Sequence, residues 1–164
     1  MRSNESAGSS AGTQATPTQR STPAEQAFRS YLAAFNRSDV EALARVYAPE
    51  TEFVNPFSPE PITTREAVRA FVGSMFAAYA DMAARADDVI VAGSRVAARL
   101  TIRGRHTGAL RRPGGAIAAT GRTVELRTAE FFRVGPDGLI TEHLRIFDSA
   151  AVMAQLGQHR PTGP

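Results

Sequence analysis

Residues 95–106 read RVAARLTIRGRH, and side chains of opposite character alternate along this stretch. The apolar face carries Val96, Ala98, Leu100 and Ile102, and the other face carries mainly arginines. A period of two residues is that of a β-strand with one buried face. Residues 87–92 precede this strand across the turn Gly93-Ser94, and they predict a second strand.

Two further strands follow a loop at about residues 107–121 that is rich in glycine, proline and arginine. They cover residues 123–134 and 139–147, with the turn Pro136-Asp137-Gly138 between them. Because consecutive strands are joined by short connections, we expect them to pair as an antiparallel meander.

Capping boxes predict three helices in the first half of the chain. Thr22 to Glu25, Ser38 to Glu41 and Thr63 to Glu66 each place a hydroxyl three residues before a glutamate and ahead of an apolar stripe. The stripes of the second and third helices extend to Tyr47 and Tyr79.

A short strand at residues 51–54 lies between the second and third helices, and Asp148 caps a last helix that ends at Gly157. This order of elements predicts one α+β domain over residues 22–157. Residues 1–21 and 158–164 offer few groups to bury, and we expect them to be disordered tails.

Composition excludes several kinds of chemistry. The chain has no cysteine, and all 19 of its basic residues are arginine, which excludes thiolate, disulfide and lysine-based catalysis. Three histidines, at positions 106, 143 and 159, do not form a pattern of metal ligands. No glycine-rich loop follows a strand and opens a helix. We therefore expect neither a metal nor a cofactor.

The same features limit the partners. The net charge of +3 is mild, and the exposed arginines 99, 103 and 105 lack interleaved aromatic residues, so we expect no nucleic-acid binding. No apolar run approaches the roughly 20 residues of a membrane span. The N-terminus has no apolar segment of the secretory type, so we expect a cytoplasmic protein that does not bind membranes.

Glu130 is the strongest catalytic candidate. It shares a strand face with Val124, Leu126, Phe132 and Val134. A carboxylate on an apolar face needs a partner or a raised pKa, which suits either a general acid or base or a structural ion pair with an arginine.

Two histidines and an arginine are further candidates. His106 continues the apolar face of residues 96–102 and could donate to a substrate oxygen or be an ordinary core histidine. His143 and Arg145 share one face of the last strand. Alternation alone leaves the inward face of that strand undecided, because Ile140, Leu144 and Ile146 make the opposite face an equal candidate for burial.

Five segments carry a resemblance to a known family: residues 53–56 (FVNP), 105–108 (RHTG), 120–124 (TGRTV), 137–143 (DGLITEH), and Phe147-Asp148 together with 155–157 (QLG). With them, residues 25–157 resemble the SnoaL-like polyketide cyclases of the nuclear transport factor 2-like superfamily. The resemblance implies a cone-shaped barrel: a curved, mostly antiparallel sheet wrapped by the N-terminal helices, with a short C-terminal helix.

The resemblance also implies a hydrophobic pocket and an aldol ring closure in which a pocket aspartate is the base. Arg145 occupies the position of that aspartate, and Glu130 occupies that of a pocket histidine. Because an arginine cannot act as a base near neutral pH, the family mechanism does not carry over intact. The expected catalytic residues are Glu130, His106, His143 and Arg145. The expected substrate contacts are Asn55, Phe53, Tyr31, Phe35, Phe71 and Phe132.

Three functions remain open. The first is a cofactor-free acid–base cyclase or isomerase that acts on a hydrophobic, polyketide-type intermediate. The second is an epoxide-opening cyclase or epoxide hydrolase, and the third is a non-catalytic module that binds a hydrophobic ligand. In each case we expect a homodimer, because the convex face of an open sheet must be covered.

Overall fold

The computed structural model describes residues 21–112 and 115–158. The helices are α1 (Pro23–Asn36), α2 (Val40–Arg45), α3 (Arg65–Ala78) and α4 (Ser149–Gln155). The strands are β1 (Tyr47–Val54), β2 (Ile62–Thr64), β3 (Tyr79–Ala92), β4 (Arg95–His106), β5 (Leu110–Arg112), β6 (Gly115–Ile117), β7 (Thr123–Val134) and β8 (Ile140–Ile146). The two predicted tails lie outside the described residues, except for Ser21 and Gln158.

Six strands form one sheet in the order β2-β1-β8-β7-β4-β3, and β5 pairs with β6 in a separate hairpin. Every pair in the large sheet is antiparallel except β1 with β8, which is parallel. Two register shifts in β3 mark bulges, which bend a sheet. The α+β class with a curved, mostly antiparallel sheet is confirmed, and the sheet remains open, with β2 and β3 as its edges.

The helix starts follow local backbone geometry. Thr22 caps α1 as predicted, since its hydroxyl accepts from the Glu25 amide. The predicted cap of α2, Ser38, is wrong, because Ser38 has a left-handed φ of 51° and Asp39 takes the extended N-cap conformation instead. For α3 the cap lies one residue later than predicted, at Thr64.

Two tyrosines predicted on helices lie on strands. Tyr47 begins β1, and Tyr79 begins β3, where it pairs with His106 at the far end of β4. The strand predicted at residues 87–92 is therefore longer than expected, because pairing continues along all of β4. The predicted loop at 107–121 contains the β5–β6 hairpin, whose Leu110 and Ile117 are buried.

The main core lies between α1, α2, α3 and the inner face of the sheet. Along β4 and β7, the side chains that alternation predicted to be apolar and inward are buried, including Val96, Leu100 and Phe132, except Leu126, which is half-buried. The inner face therefore positions the polar residues Glu130 and His143 inside the molecule. A second cluster forms where β5, β6 and α4 pack together, around Val152 and Leu156.

The outer face of the sheet carries two side-by-side rows of side chains. An apolar row crosses five strands in register: Ile90, Ala97, Phe131, Leu144 and Val54. Of these, Ile90 is 62% exposed and Phe131 46% exposed, which is high for large apolar side chains. The neighbouring charged row consists of Arg95, Arg133, Glu142 and Glu52.

Candidate functional site

An apolar cavity of about 60 Å³ lies between the inner face of the sheet and the helices. Its wall contains five polar residues: Tyr31, Tyr47, Asn55, Tyr79 and Arg145. A water molecule needs roughly 10–15 Å³ of such space, so the cavity has room for about four waters. A larger ligand must displace lining side chains, and the unbranched Met75 and Met82 are suited to that movement.

Beside this cavity, Glu130 is the centre of a buried polar network. Its Oε1 accepts from Thr128 Oγ1 at 2.9 Å and from Arg145 Nε at 2.9 Å. Its Oε2 accepts from the Tyr31 hydroxyl at 3.2 Å and lies 3.1 Å from His143 Nε2. Glu130 is fully buried and does not line the cavity. Four side chains thus hold the carboxylate away from any ligand in the cavity.

Cross-strand register assembles this network. Glu130 on β7 pairs with Ala98 on β4 and with Arg145 on β8. Burial alone raises the pKa of Glu130, but the charge of Arg145 and the hydrogen bonds from His143 and Arg145 outweigh it and lower the pKa to about 2. The group is therefore an anion at neutral pH, as expected of the ion-pair alternative.

His143 is held between two aromatic rings. Phe53 and Phe132, its register partners on β1 and β7, stack on opposite sides of the imidazole, with ring centroids 4.3 and 4.2 Å away. The Tyr47 hydroxyl lies 2.8 Å from Nδ1. Burial lowers the pKa of His143 to about 4, because Arg145 already balances the charge of Glu130 and a second cation is disfavoured.

Arg145 connects the buried network to the cavity. Its Nε and Nη2 donate to Glu130 and to the Tyr31 hydroxyl, and its guanidinium lies 5.5 Å from the centre of the Phe53 ring. Nη1 makes no hydrogen bond to the part of the chain that the structure describes. Since the side chain lines the cavity, this nitrogen is available to an oxygen atom of a ligand.

Two other polar groups on the cavity wall have unused hydrogen-bonding capacity. Asn55 Oδ1 accepts from the Phe57 amide, which leaves Nδ2 buried and without a partner among the described residues. The Tyr79 hydroxyl is also buried and unpartnered within the same residues. Burial raises the pKa of Tyr79 to about 12, so it keeps its proton and can donate it to a hydrogen bond. Both groups favour a ligand that carries oxygen acceptors.

His106 lies apart from this cavity wall. Its Nδ1 accepts from the Thr120 amide at 3.2 Å, which places the proton of the neutral ring on Nε2. Nε2 is buried and has no partner within the described chain, and burial lowers the pKa of the imidazole. The ring packs against Tyr79, with centroids 5.1 Å apart. His106 therefore lies behind Tyr79, which lines the cavity.

The structure brings most of the predicted site residues together. Tyr31, Phe35, Phe53, Asn55, Phe71 and Arg145 line the cavity. Four predicted residues do not line it, although all four are buried. Glu130 and His143 lie behind Arg145 and Tyr47, Phe132 covers His143, and His106 packs against Tyr79. Phe132 stacks on the imidazole of His143, and its expected contact with a substrate stays a prediction.

Tyr47 and Tyr79 were not among the predicted site residues. Both were interpreted as core residues on helices, whereas both line the cavity from the first position of a strand. Their hydroxyl groups were the only available indication, since a buried phenol needs a partner.

Neither a metal site nor a membrane-spanning helix is present among the described residues. No cluster of three or more histidine or acidic side chains could hold a metal ion there. None of the helices described is both long enough and apolar enough to cross a membrane.

Comparison with known proteins places these features in context. Residues 28–143 match the family model of the SnoaL-like domain. TsrD from Streptomyces laurentii is 28% identical in a superposition with a TM-score of 0.69, over 84% of this chain and 96% of TsrD. IdmH, a proposed polyketide cyclase from Streptomyces antibioticus, is 29% identical with a TM-score of 0.65, over 82% of this chain and 98% of IdmH.

A proposed polyketide cyclase from Xanthomonas campestris gives a similar result, with 26% identity and a TM-score of 0.67 over 82% of this chain and 96% of that protein. No curated protein sequence matches the chain significantly.

Proposed function

Because the chain belongs to the SnoaL-like domain family, we propose that it is a cofactor-free enzyme of the cyclase type. Its substrate is a hydrophobic, polyketide-type molecule with carbonyl groups, and the reaction closes a ring within that molecule. Two solved structures at 26–29% identity are described as proposed polyketide cyclases, which supports this class of reaction.

Arg145 is the observation on which the proposal depends. It is a cation on the wall of an apolar cavity, fixed in place by a buried carboxylate. In a site that excludes water, a fixed cation strongly stabilises an oxygen that gains negative charge in the transition state. An enolate oxygen formed during ring closure is such an oxygen, so Arg145 is suited to bind it.

Glu130 then has a supporting role instead of the proton-transfer role first expected of it. Its two oxygens already accept from four side chains, and it does not line the cavity. A carboxylate whose oxygens already have four hydrogen-bond partners, and whose pKa is strongly lowered, is a poor base. We propose that it keeps Arg145 ionised and correctly oriented.

The remaining wall suggests how a substrate is held. Phe35, Phe53 and Phe71 supply apolar contact area, while Asn55 and Tyr79 offer donors to further oxygen atoms. A hydrophobic molecule with several carbonyl or ether oxygens fits this combination of groups.

Epoxide opening is less well supported. Arg145 could donate to an epoxide oxygen, but a carboxylate that could attack the epoxide or activate water is not found on the described cavity wall. None of the described lining residues is an aspartate or a glutamate. A module that only binds a hydrophobic ligand would use the same cavity, and an activity assay separates it from an enzyme.

The proposal is tested with 1-phenylhexane-1,5-dione, an apolar diketone that closes a six-membered ring by aldol addition. We expect the protein to accelerate formation of the cyclic product, measured by chromatography with mass detection. Arg145→Met should lower kcat about 10²–10³-fold, as does the loss of a donor to a transition-state oxyanion. Arg99→Met, which removes an exposed arginine on the outer sheet face, is the matched control. Equal rates for wild type and Arg145→Met would contradict the proposal.

A further inference from the structure

Three buried side chains form a continuous hydrogen-bonded chain that ends at the cavity. Tyr47 lines the cavity, and its hydroxyl lies 2.8 Å from His143 Nδ1. His143 Nε2 lies 3.1 Å from Glu130 Oε2. The three residues are each no more than 1% exposed, so they are shielded from bulk solvent.

Chemistry fixes the direction of these hydrogen bonds. An ionised carboxylate can only accept, so the bond to Glu130 requires the proton of His143 on Nε2. Nδ1 of the neutral ring is then unprotonated, and its lone pair must accept the hydrogen bond from the Tyr47 hydroxyl. The order phenol, imidazole, carboxylate is that of a nucleophile, a general base and the group that orients the base.

From this arrangement we propose that Tyr47 is the catalytic base of the ring closure, with His143 as the acceptor of its proton and Glu130 as the positioning residue behind them. The inference rests on the proposed cyclase function. It assigns a base to this chain, because Arg145 occupies the position of the family's catalytic aspartate and cannot act as one.

Every proton and electron pair in the step is accounted for. A C–H bond next to a substrate carbonyl breaks, its proton bonds to the Tyr47 oxygen, and the phenol's own proton moves to His143 Nδ1. The electron pair left on the substrate forms an enolate whose oxygen lies against Arg145. The enolate carbon bonds to a second carbonyl carbon of the same molecule, and the resulting alkoxide takes the proton back from His143 through Tyr47. The product is an isomer of the substrate, so no co-reactant is needed.

Tyr31 also lines the cavity and donates a hydrogen bond to Glu130, yet it is less suited to act as the catalytic base. Its oxygen accepts from the guanidinium of Arg145, and a nearby cation opposes the uptake of a proton. Its hydroxyl donates directly to a carboxylate whose pKa is already very low. The hydroxyl oxygen of Tyr47, by contrast, makes no hydrogen bond among the described residues other than that to His143. One of its lone pairs is free for a substrate proton.

The first test compares two tyrosine variants of the full chain in the diketone assay. Tyr47→Phe should lower kcat about 10²–10⁴-fold, the usual contribution of a general base, with KM nearly unchanged because the ring still fills its place. Tyr31→Phe removes a donor to the same carboxylate but leaves the Tyr47–His143 bond, so its loss should be smaller. A Tyr47→Phe variant with the wild-type kcat would overturn the inference.

The second test needs no substrate. Nitrogen-15 NMR of labelled histidine, assigned with His143→Gln, should show His143 neutral at pH 7, with the proton on Nε2 and Nδ1 unprotonated. Tyr47→Phe should shift the Nδ1 resonance. A proton found on Nδ1 would overturn the relay whatever the diketone assay shows. Failure of the wild type to cyclise the diketone would instead count against the proposed function.

Discussion

Replacing Arg145 with methionine removes the charge that keeps Glu130 ionised inside the protein. The methionine fills a similar volume and preserves the apolar wall, but the carboxylate loses its cation and its hydrogen bonds from Nε and Nη2. Glu130 remains fully buried, so water cannot replace the lost partner.

The structure sets the size of the effect. In the wild type, the pKa of Glu130 falls from 4.5 to about 2 although burial opposes the change. At 1.36 kcal/mol per unit, this corresponds to roughly 3 kcal/mol in favour of the ionised form. Breaking a buried pair by removal of one partner costs about 3–5 kcal/mol. For a chain of this length, we expect Arg145→Met to lower the Tm by about 10 °C at neutral pH.

The dependence on pH identifies the cause. The wild-type pKa is lowered, so the stability from Glu130 is fully present above pH 4.5 and is lost as the pH falls toward about 2. In Arg145→Met the buried Glu130 carboxylate has lost its cation, so its pKa is raised above the wild-type value. Because Glu130 and His143 interact directly, one proton taken up on acidification is shared by the pair. The penalty at neutral pH is then relieved as the pH falls, so the gap in Tm between the two proteins should narrow from about pH 8 to pH 5.

Differential scanning calorimetry of both proteins over this pH range measures the gap, with Arg99→Met as a control that should follow the wild type. A gap of constant size across the range would refute the reasoning, since it would show that lost packing, and not an unpaired carboxylate, destabilises the variant.

Two further changes test the fold and the assembly. Phe131→Asp, in the middle of the apolar row on the outer face, should convert a dimer of twice 17.5 kDa into a monomer in light scattering, and a wild type that is already a monomer at micromolar concentration would rule out the dimer. Gly108→Ala should lower the free energy of unfolding by about 1–3 kcal/mol, measured by urea denaturation, because the new Cβ would clash with the Ala77 carbonyl oxygen. Gly73→Ala, which meets only an ordinary contact at 3.9 Å, is its control and should be neutral or stabilising.

Strand alternation predicted much of the fold. The bounds of β4 and β7 match the prediction to the residue, because each strand has one buried and one exposed face and its apolar side chains follow a strict period of two. The same pattern placed Glu130 inside the protein. The family resemblance read from five short segments is confirmed by the match over residues 28–143.

The partners of Glu130 could not be predicted in the same way. On β8 the apolar residues Leu144 and Ile146 lie on the face opposite Arg145, so alternation does not predict that Arg145 points inward. Its inward direction depends on how β8 pairs with β7 and β1. The parallel pairing of β1 with β8 is a long-range contact without a local sequence pattern, and it is what brings Phe53 onto His143. Tyr47 and Tyr79 were misplaced because an aromatic residue at the junction of a helix and a strand fits the period of either element.

The charged row on the outer face also restricts how two copies could meet. From β4 to β1 it runs Arg95, Arg133, Glu142, Glu52, with both positive charges in one half and both negative charges in the other. A two-fold axis that runs along the strands between β7 and β8 would set each arginine against a glutamate of the second copy, and Phe131 against its Leu144. An axis that runs across the strands would not match the charges in this way. In the expected dimer the row should therefore favour one orientation of the two copies, and added salt should weaken that preference while leaving the apolar contact in place.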